Sequence, residues 1–410
     1  MKTRSSLKFA SYATAVVMLV TAGGKLSSHA EAPTKKRLIV HEWGTFTSVS
    51  GEDGVSLDWR PLVGHSDLPS FVYEYDLGKI TNGVGLRKLA CPKCSWEARV
   101  RMETPVIYFY ADEEMAVSVN VWFPQGKISE WYPQASSVRL NNIDWGVFKV
   151  IPGANPTFPT EESGSHYYAA RATDSAAVRV CSVKDRQFEM EKFLFYRGVG
   201  TFDLPLSARL EKGGVTVQNT GKEPIAHAVL FENREGKIGF VVREAIDGEI
   251  QFDKPNLDQS LDSLIPQLAG ILTAQGLYEK EAQAMIETWR DQWFEEGTRV
   301  FYILPRATTD RILPIHIQPA PDELQRVLVG RIEVITPEQE AAMLVQLHKL
   351  GDDSRSVREN ALTEIKKRGR FAEPVLRLIL TRMADPEIKA RIHELLDSAS
   401  ANRDSVRKGS

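Results

Sequence analysis

The sequence predicts a mainly β protein of sandwich-like sheets, with one helical-pair insertion and an all-α C-terminal tail. Three observations carry this. From Arg37 to Phe252, short β-branched and aromatic runs alternate with Gly, Pro, Asn and Asp punctuation. Between Leu257 and Glu296 the apolar period changes from two to that of a helix. From Thr336 onward the helical period takes over for good.

The first 32 residues read as a signal peptide. Lys2, Arg4 and Lys8 form a basic start, Phe9 to Ala22 is apolar, and Ala30-Glu31-Ala32 offers small residues for cleavage. An uncleaved anchor is the other reading, but the run falls short of the ~18 residues a span needs. No Cys follows for a lipid anchor, and no later stretch is apolar enough to cross a bilayer. The expected product is exported, periplasmic or extracellular, without stable membrane insertion.

The chain carries a net charge of −3; the leader's Lys2, Arg4, Lys8 and Lys25 against Glu31 leave the remainder near −6. An acidic protein without a long basic run argues against nucleic acid, whose binding rests on phosphate neutralisation. The one basic cluster, Lys366-Lys367-Arg368-Gly369-Arg370, suits the C-terminal end of a helix and its macrodipole.

Residues 33–165 read as a first β domain. Leu38 to Val49 opens it as a strand, ended by the turn Gly51-Glu52-Asp53-Gly54. A loop-rich stretch follows through Pro61, Gly64, Pro69 and Gly83. The centre of the domain is 97–123. There Met115, Val117, Val119, Val121 and Phe123 share one face of a strand, and Val106 to Tyr110 is apolar on both faces. The short acidic segment Ala111–Glu114 predicts a hairpin joining the two.

Residues 166–335 read as a second β unit. Strand signal resumes at His166-Tyr167-Tyr168, Val178–Cys181 and Phe193–Tyr196. Further strands at 206–210, 215–219, 225–231, 238–242 and 250–252 are separated by glycine turns, the spacing of a sandwich. Gly214 to Ile225 resembles the strand–turn–strand of immunoglobulin-like modules over about a dozen residues. An insertion at 257–296 carries two helices. The second places Ala282, Met285, Ile286, Trp289 and Trp293 on one core-facing stripe. Arg299 to Leu304, Leu313 to Ile317 and Arg326 to Ile335 return to the sheets.

Thr336-Pro337-Glu338-Gln339 is a capping box that opens the tail, 336–398. Its four short amphipathic helices in pairs resemble HEAT-type repeats, which implies a protein partner on the tail. Residues 399–410 are polar and expected to fray. Three stretches carry a wider resemblance: His41-Glu42-Trp43-Gly44-Thr45-Phe46-Thr47, Arg101-Met102-Glu103-Thr104-Pro105-Val106 and Phe193-Leu194-Phe195-Tyr196-Arg197-Gly198. Together they resemble a family of large exported bacterial proteins without assigned activity, some ending in HEAT-like helices. The resemblance implies a shared fold and site, and no reaction.

No P-loop, GxGxxG after a strand, GxSxG or HExxH is present, so no motif names a reaction or a cofactor. Candidate catalytic residues are therefore polar groups set in apolar strands. Glu42 with Glu103 or Glu130 offers the carboxylate pair of a glycoside hydrolase; His41, His166 and a carboxylate offer a metal site. The competing reading is that all of them satisfy strand ends and buried backbone groups. Cys91-Pro-Lys-Cys94 predicts a disulfide or plain thiols or, with Cys181 and a His, a zinc site; a redox role would need the pair at a helix start after a strand. Trp122 and Trp131 are candidate ligand rings for a glycan, or else a second core layer. Arg197 is the expected counter-charge for Glu42 or Glu103. Two functions stay open: an exported binding or scaffold protein of the envelope, and a hydrolase acting on a glycan or other envelope polymer.

Overall fold

The computed structural model describes residues 37–63, 67–75, 95–162, 164–182 and 187–401. The leader, Cys91 and Cys94 lie outside them. The strands begin with β1 (Leu38–Ser50), β2 (Tyr73–Glu74), β3 (Val100–Ala111), β4 (Met115–Trp122), β5 (Gly126–Tyr132) and β6 (Ser137–Arg139). Next come β7 (Asn142–Ile151), β8 (Ala177–Cys181), β9 (Phe188–Glu191), β10 (Leu194–Gly200), β11 (Leu206–Glu211) and β12 (Gly214–Asn219). The last are β13 (Ile225–Arg234), β14 (Lys237–Ile246), β15 (Glu249–Asp253), β16 (Gly297–Ile303), β17 (Ile315–Gln318) and β18 (Glu323–Val334). The helices are α1 (Leu261–Ala274), α2 (Glu279–Trp293), α3 (Arg306–Ile312), α4 (Pro337–Lys349), α5 (Arg355–Lys367), α6 (Ala372–Arg382) and α7 (Pro386–Ala401).

A nine-stranded sheet in the order β14-β13-β16-β18-β1-β3-β10-β5-β2 organises the molecule. Its middle strand β1 is buried at every position, parallel to β18 and antiparallel to β3. A strand covered on both faces has no reason to alternate, which is why Leu38–Ser50 reads as a continuous apolar and β-branched run. One face, with Val40, Phe46, Met102, Ile107 and Leu328, packs on Val117, Val119, Val121 and Phe148 of a six-stranded sheet. The other face, with Trp43, Val106, Tyr108 and Val329, is covered by Leu264 of α1 and by Met285, Ile286, Trp289 and Trp293 of α2. Burial of each such large side chain contributes about 2–3 kcal/mol. The α2 stripe is thus core, as its spacing predicts.

The expected hairpin between 97–111 and 115–123 does not form. β3 pairs with β1 and β10, whereas β4 pairs with β7 and β17 in the other sheet. The reason lies in burial. β3 needs cover on both faces, while the two-residue period of β4 requires one open face, and it leaves Ala116 and Trp122 exposed. Strands with such different demands belong to different layers, and the turn between them carries the chain across the gap.

Two further expectations change. His166–Arg171 is a 3-10 helix, opened by Ser165, whose hydroxyl accepts from the Tyr167 N–H. The strands at 206–252 divide: β11, β12 and β15 form a three-stranded sheet, while β13 and β14 extend the large one. The short helix α3 lies between the two expected strands Arg299–Leu304 and Leu313–Ile317. The tail helices α4 to α7 pack Met343, Leu347, Ile365, Leu376 and Ile379 against Val49, Trp59 and Ile335 at one end of the large sheet. No described helix is long and apolar enough to cross a membrane.

Candidate functional site

A single β-bulge decides where the charges go. On β1, Trp43 faces Val106 and Thr45 faces Glu103, so Gly44 alone opposes the pair Thr104-Pro105. That extra residue reverses the alternation of β3. Val100 and Met102 stay with the inter-sheet core, and Arg101 and Glu103 turn to the helix-covered face. A Cβ at Gly44 would sit 3.0 Å from the Pro105 Cα, so the close approach favours glycine.

The helix-covered face is therefore two surfaces in one. The half near Trp43 is aromatic and apolar. The other half gathers Arg101 and Glu103 of β3, Arg331 and Glu333 of β18, Arg299 of β16, and Arg197 of β10 facing Glu130 of β5. Arg299 donates to both Glu333 oxygens at 2.9 and 3.2 Å and to the carbonyls of Trp293 and Glu296, closing the C-terminal end of α2. Arg331 donates to Glu295 at 2.9 Å and Glu333 at 3.1 Å.

Glu103, expected beside Arg197, is held instead by Arg370, which reaches in from the tail and donates at 3.0 and 3.3 Å. The same guanidinium donates to Gln292 at 2.5 Å and Glu295 at 3.3 Å. Burial alone would push the Glu103 carboxyl up, but Arg370, Arg101 and Arg331 outweigh it and bring it down to about 2. Arg370 thus has a specific carboxylate, beyond the macrodipole role expected of its cluster.

Arg197 holds Asp67 through two hydrogen bonds, at 2.7 and 3.1 Å. His166 approaches the same carboxylate at 3.5 Å through Nε2 and Asp291 at 3.9 Å through Nδ1, with its ring 5.2 Å from that of Trp289. Burial disfavours a charged His166, yet Asp291 and Asp67 raise its pKa above the ordinary value. For Asp67, burial works upward, and Arg197, His166 and Arg101 together hold it well below the usual carboxylate range. This is the rim of the polar half: the Asp67 side chain is 24 % exposed and that of Asp291 68 %.

Two other predicted residues lie elsewhere. Glu42 points into the inter-sheet core, where Tyr196 donates to it at 2.6 Å and Arg326 at 2.5 Å; Arg326 also donates to Asp310 at 2.8 Å. Arg197, on the opposite face of the sheet, is not its counter-charge. His41 lies 2.8 Å from the Glu281 carboxylate, which also accepts from Tyr110 at 2.9 Å and from the Tyr278 N–H at 2.8 Å. Adjacent on one strand, His41 and Glu42 face opposite layers.

Of the remaining candidates, Glu130 accepts from the Ser129 hydroxyl. Trp131 stacks on Tyr73, rings 6.2 Å apart, and Trp122 is 44 % exposed on the outer face of the six-stranded sheet. Cys181 is an exposed free thiol. Among the described residues no three metal-ligating side chains gather. The structure therefore brings Glu103, Glu130, His166 and Arg197 to the polar half of the helix-covered face; His41 lies on the other half of that face, against Glu281, and Glu42, Trp122 and Trp131 lie elsewhere.

No family model and no curated protein matches this chain. The site is accordingly read from its own chemistry. Sequence reasoning missed Asp67, Arg101, Asp291, Arg331 and Glu295. Arg101 had a signal, since it alternates with Glu103 on one strand face. Asp67 and Asp291, in a loop and on an exposed helix face, had none.

Proposed function

We propose that this is an exported binding protein of the cell envelope. Its β body holds the ligand at the Asp67–His166 rim, and its tail, whose helix pairing is similar to HEAT-type repeats, takes a protein partner. One observation carries the reading: every carboxylate nominated for hydrolysis already has a protein donor. Glu42 is held by Tyr196 and Arg326, Glu103 by Arg370, and Glu130 accepts from Ser129. Glycosidic cleavage needs two carboxyl groups across an open cleft, about 5–10 Å apart and free to exchange protons. Acids held in place by such donors are parts of a frame. The leader-like first 32 residues and the resemblance to exported bacterial proteins support the location.

The second reading, a hydrolase acting on a glycan or other envelope polymer, rests on His166 between Asp67 and Asp291, a geometry that can orient and charge an imidazole. The test is to incubate the purified protein with isolated cell-wall sacculi and envelope polysaccharides. Co-sedimentation without release of soluble fragments is expected. Fragment release that is lost in His166→Ala would overturn the binding reading in favour of hydrolysis.

A further inference from the structure

We infer that Arg101 marks a built site for the carboxylate group of an acidic ligand. The residue is 8 % exposed, yet its guanidinium makes no hydrogen bond to any described residue, and its Nε is fully enclosed without a partner. Its nearest carboxylate oxygen is Asp67 Oδ2 at 3.7 Å, beyond hydrogen-bond reach, and both Asp67 oxygens already accept from Arg197. The other buried guanidiniums, Arg197, Arg299, Arg326 and Arg331, and the half-buried Arg370 are treated differently, since each donates to at least one carboxylate. A buried cation with idle donors is disfavoured, and the chain installs this one by means of a bulge that turns it to the polar face. Such a group is explained when its acceptor comes from outside.

The class of ligand follows from charge and shape. On this half of the face Arg197 donates to Asp67, Arg299 to Glu333, Arg331 to Glu295 and Arg370 to Glu103, which leaves Arg101 as the guanidinium without a hydrogen-bonded carboxylate among the described residues. One added negative charge is offset by bringing the idle Arg101 into use, whereas a dianion would meet Asp67 and Glu103 with nothing left to neutralise it. The planar fork of a guanidinium matches the two oxygens of a carboxylate. Burial leaves both Arg101 and Arg331 below the usual arginine range, while Arg197 and Arg370 stand above it; of the two lowered groups, Arg331 donates to Glu295 and Glu333 and Arg101 to no described carboxylate.

This deepens the binding reading and rests on it for the ligand's role, though not for its chemistry. The test is calorimetric titration of the full chain with glucuronate and with N-acetylalanine, which represent an acidic sugar and a peptide terminus, alongside glucose and inorganic phosphate. Binding of at least one carboxylate, weakened tenfold or more in Arg101→Met with melting temperature kept, is expected, and the better probe names the source. Binding of neither carboxylate, preference for phosphate, or equal binding by Arg101→Met would overturn the inference. As a control for folding, Arg101→Lys should retain partial binding; full binding by a lysine would refute the need for a fork. Fragment release from sacculi with Arg101-dependent carboxylate binding intact would overturn only the binding reading.

Discussion

Replacing Arg370 by Ala removes the main partner of a carboxylate that cannot reach water, since Glu103 is 1 % exposed. In the folded protein Glu103 titrates at about 2, against about 4.3 for an unperturbed glutamate. A depressed carboxylate contributes stability above its unfolded pKa and loses it as pH falls toward the folded value. By linkage the contribution near neutral pH is about 3 kcal/mol, and it should fade between about pH 4.3 and 2. Breaking a buried pair by truncating one partner costs about 3–5 kcal/mol, in the same range. For a chain of this size the unfolding entropy is ~0.8 kcal/mol/K, so Arg370→Ala should lower the melting temperature by about 4 °C at pH 7. Urea denaturation of wild type, Arg370→Ala, Glu103→Gln and the double variant closes a cycle. The double variant should recover at least about 1 kcal/mol relative to additivity, because it leaves no buried charge alone. Additive losses, or an Arg370→Ala penalty unchanged at pH 3, would refute the argument.

Two predictions concern neighbouring parts. His166 has a raised pKa, so its charged form stabilises the fold fully below the unfolded value of about 6.5, and that stability is lost as pH rises through the folded value. The stability gap between wild type and His166→Gln should therefore be largest near pH 6 and shrink toward pH 9; a gap that widens would count against the Asp67–His166–Asp291 contacts. Gly44→Ala places a methyl against the Pro105 backbone, and should cost about 1–3 kcal/mol in urea denaturation; a neutral result would mean the bulge yields.

The sequence displays what local rules govern. The period of β4, the stripe of α2 and the capping box of α4, where Thr336 accepts from the Gln339 N–H, are all properties of a few adjacent residues. Pairing partners are not. β3 and β4 look like a hairpin because they are close in sequence, yet sheet membership is settled by which faces must be covered, and that depends on strands not yet read. The same holds for the charges. Glu42, Glu103 and Arg197 stand out as polar groups in apolar strands, but their partners Arg326, Arg370 and Asp67 are 284, 267 and 130 residues away. A one-residue bulge, invisible to pattern reading, decides which face Glu103 occupies.

The parallel pairing of β1 with β18 has a consequence for how the protein is made. The middle strand of the large sheet is the first to leave the ribosome and its neighbour β18 is the last. Until residue 334 has been synthesised, one edge of β1 has no partner, and Glu42 has no guanidinium. Contacts so distant in sequence are slow to close, and an uncovered β-rich edge invites pairing with other chains. The nascent chain therefore carries its own aggregation template for most of its synthesis. Any truncation before β18 should yield an insoluble product, however intact the earlier strands are.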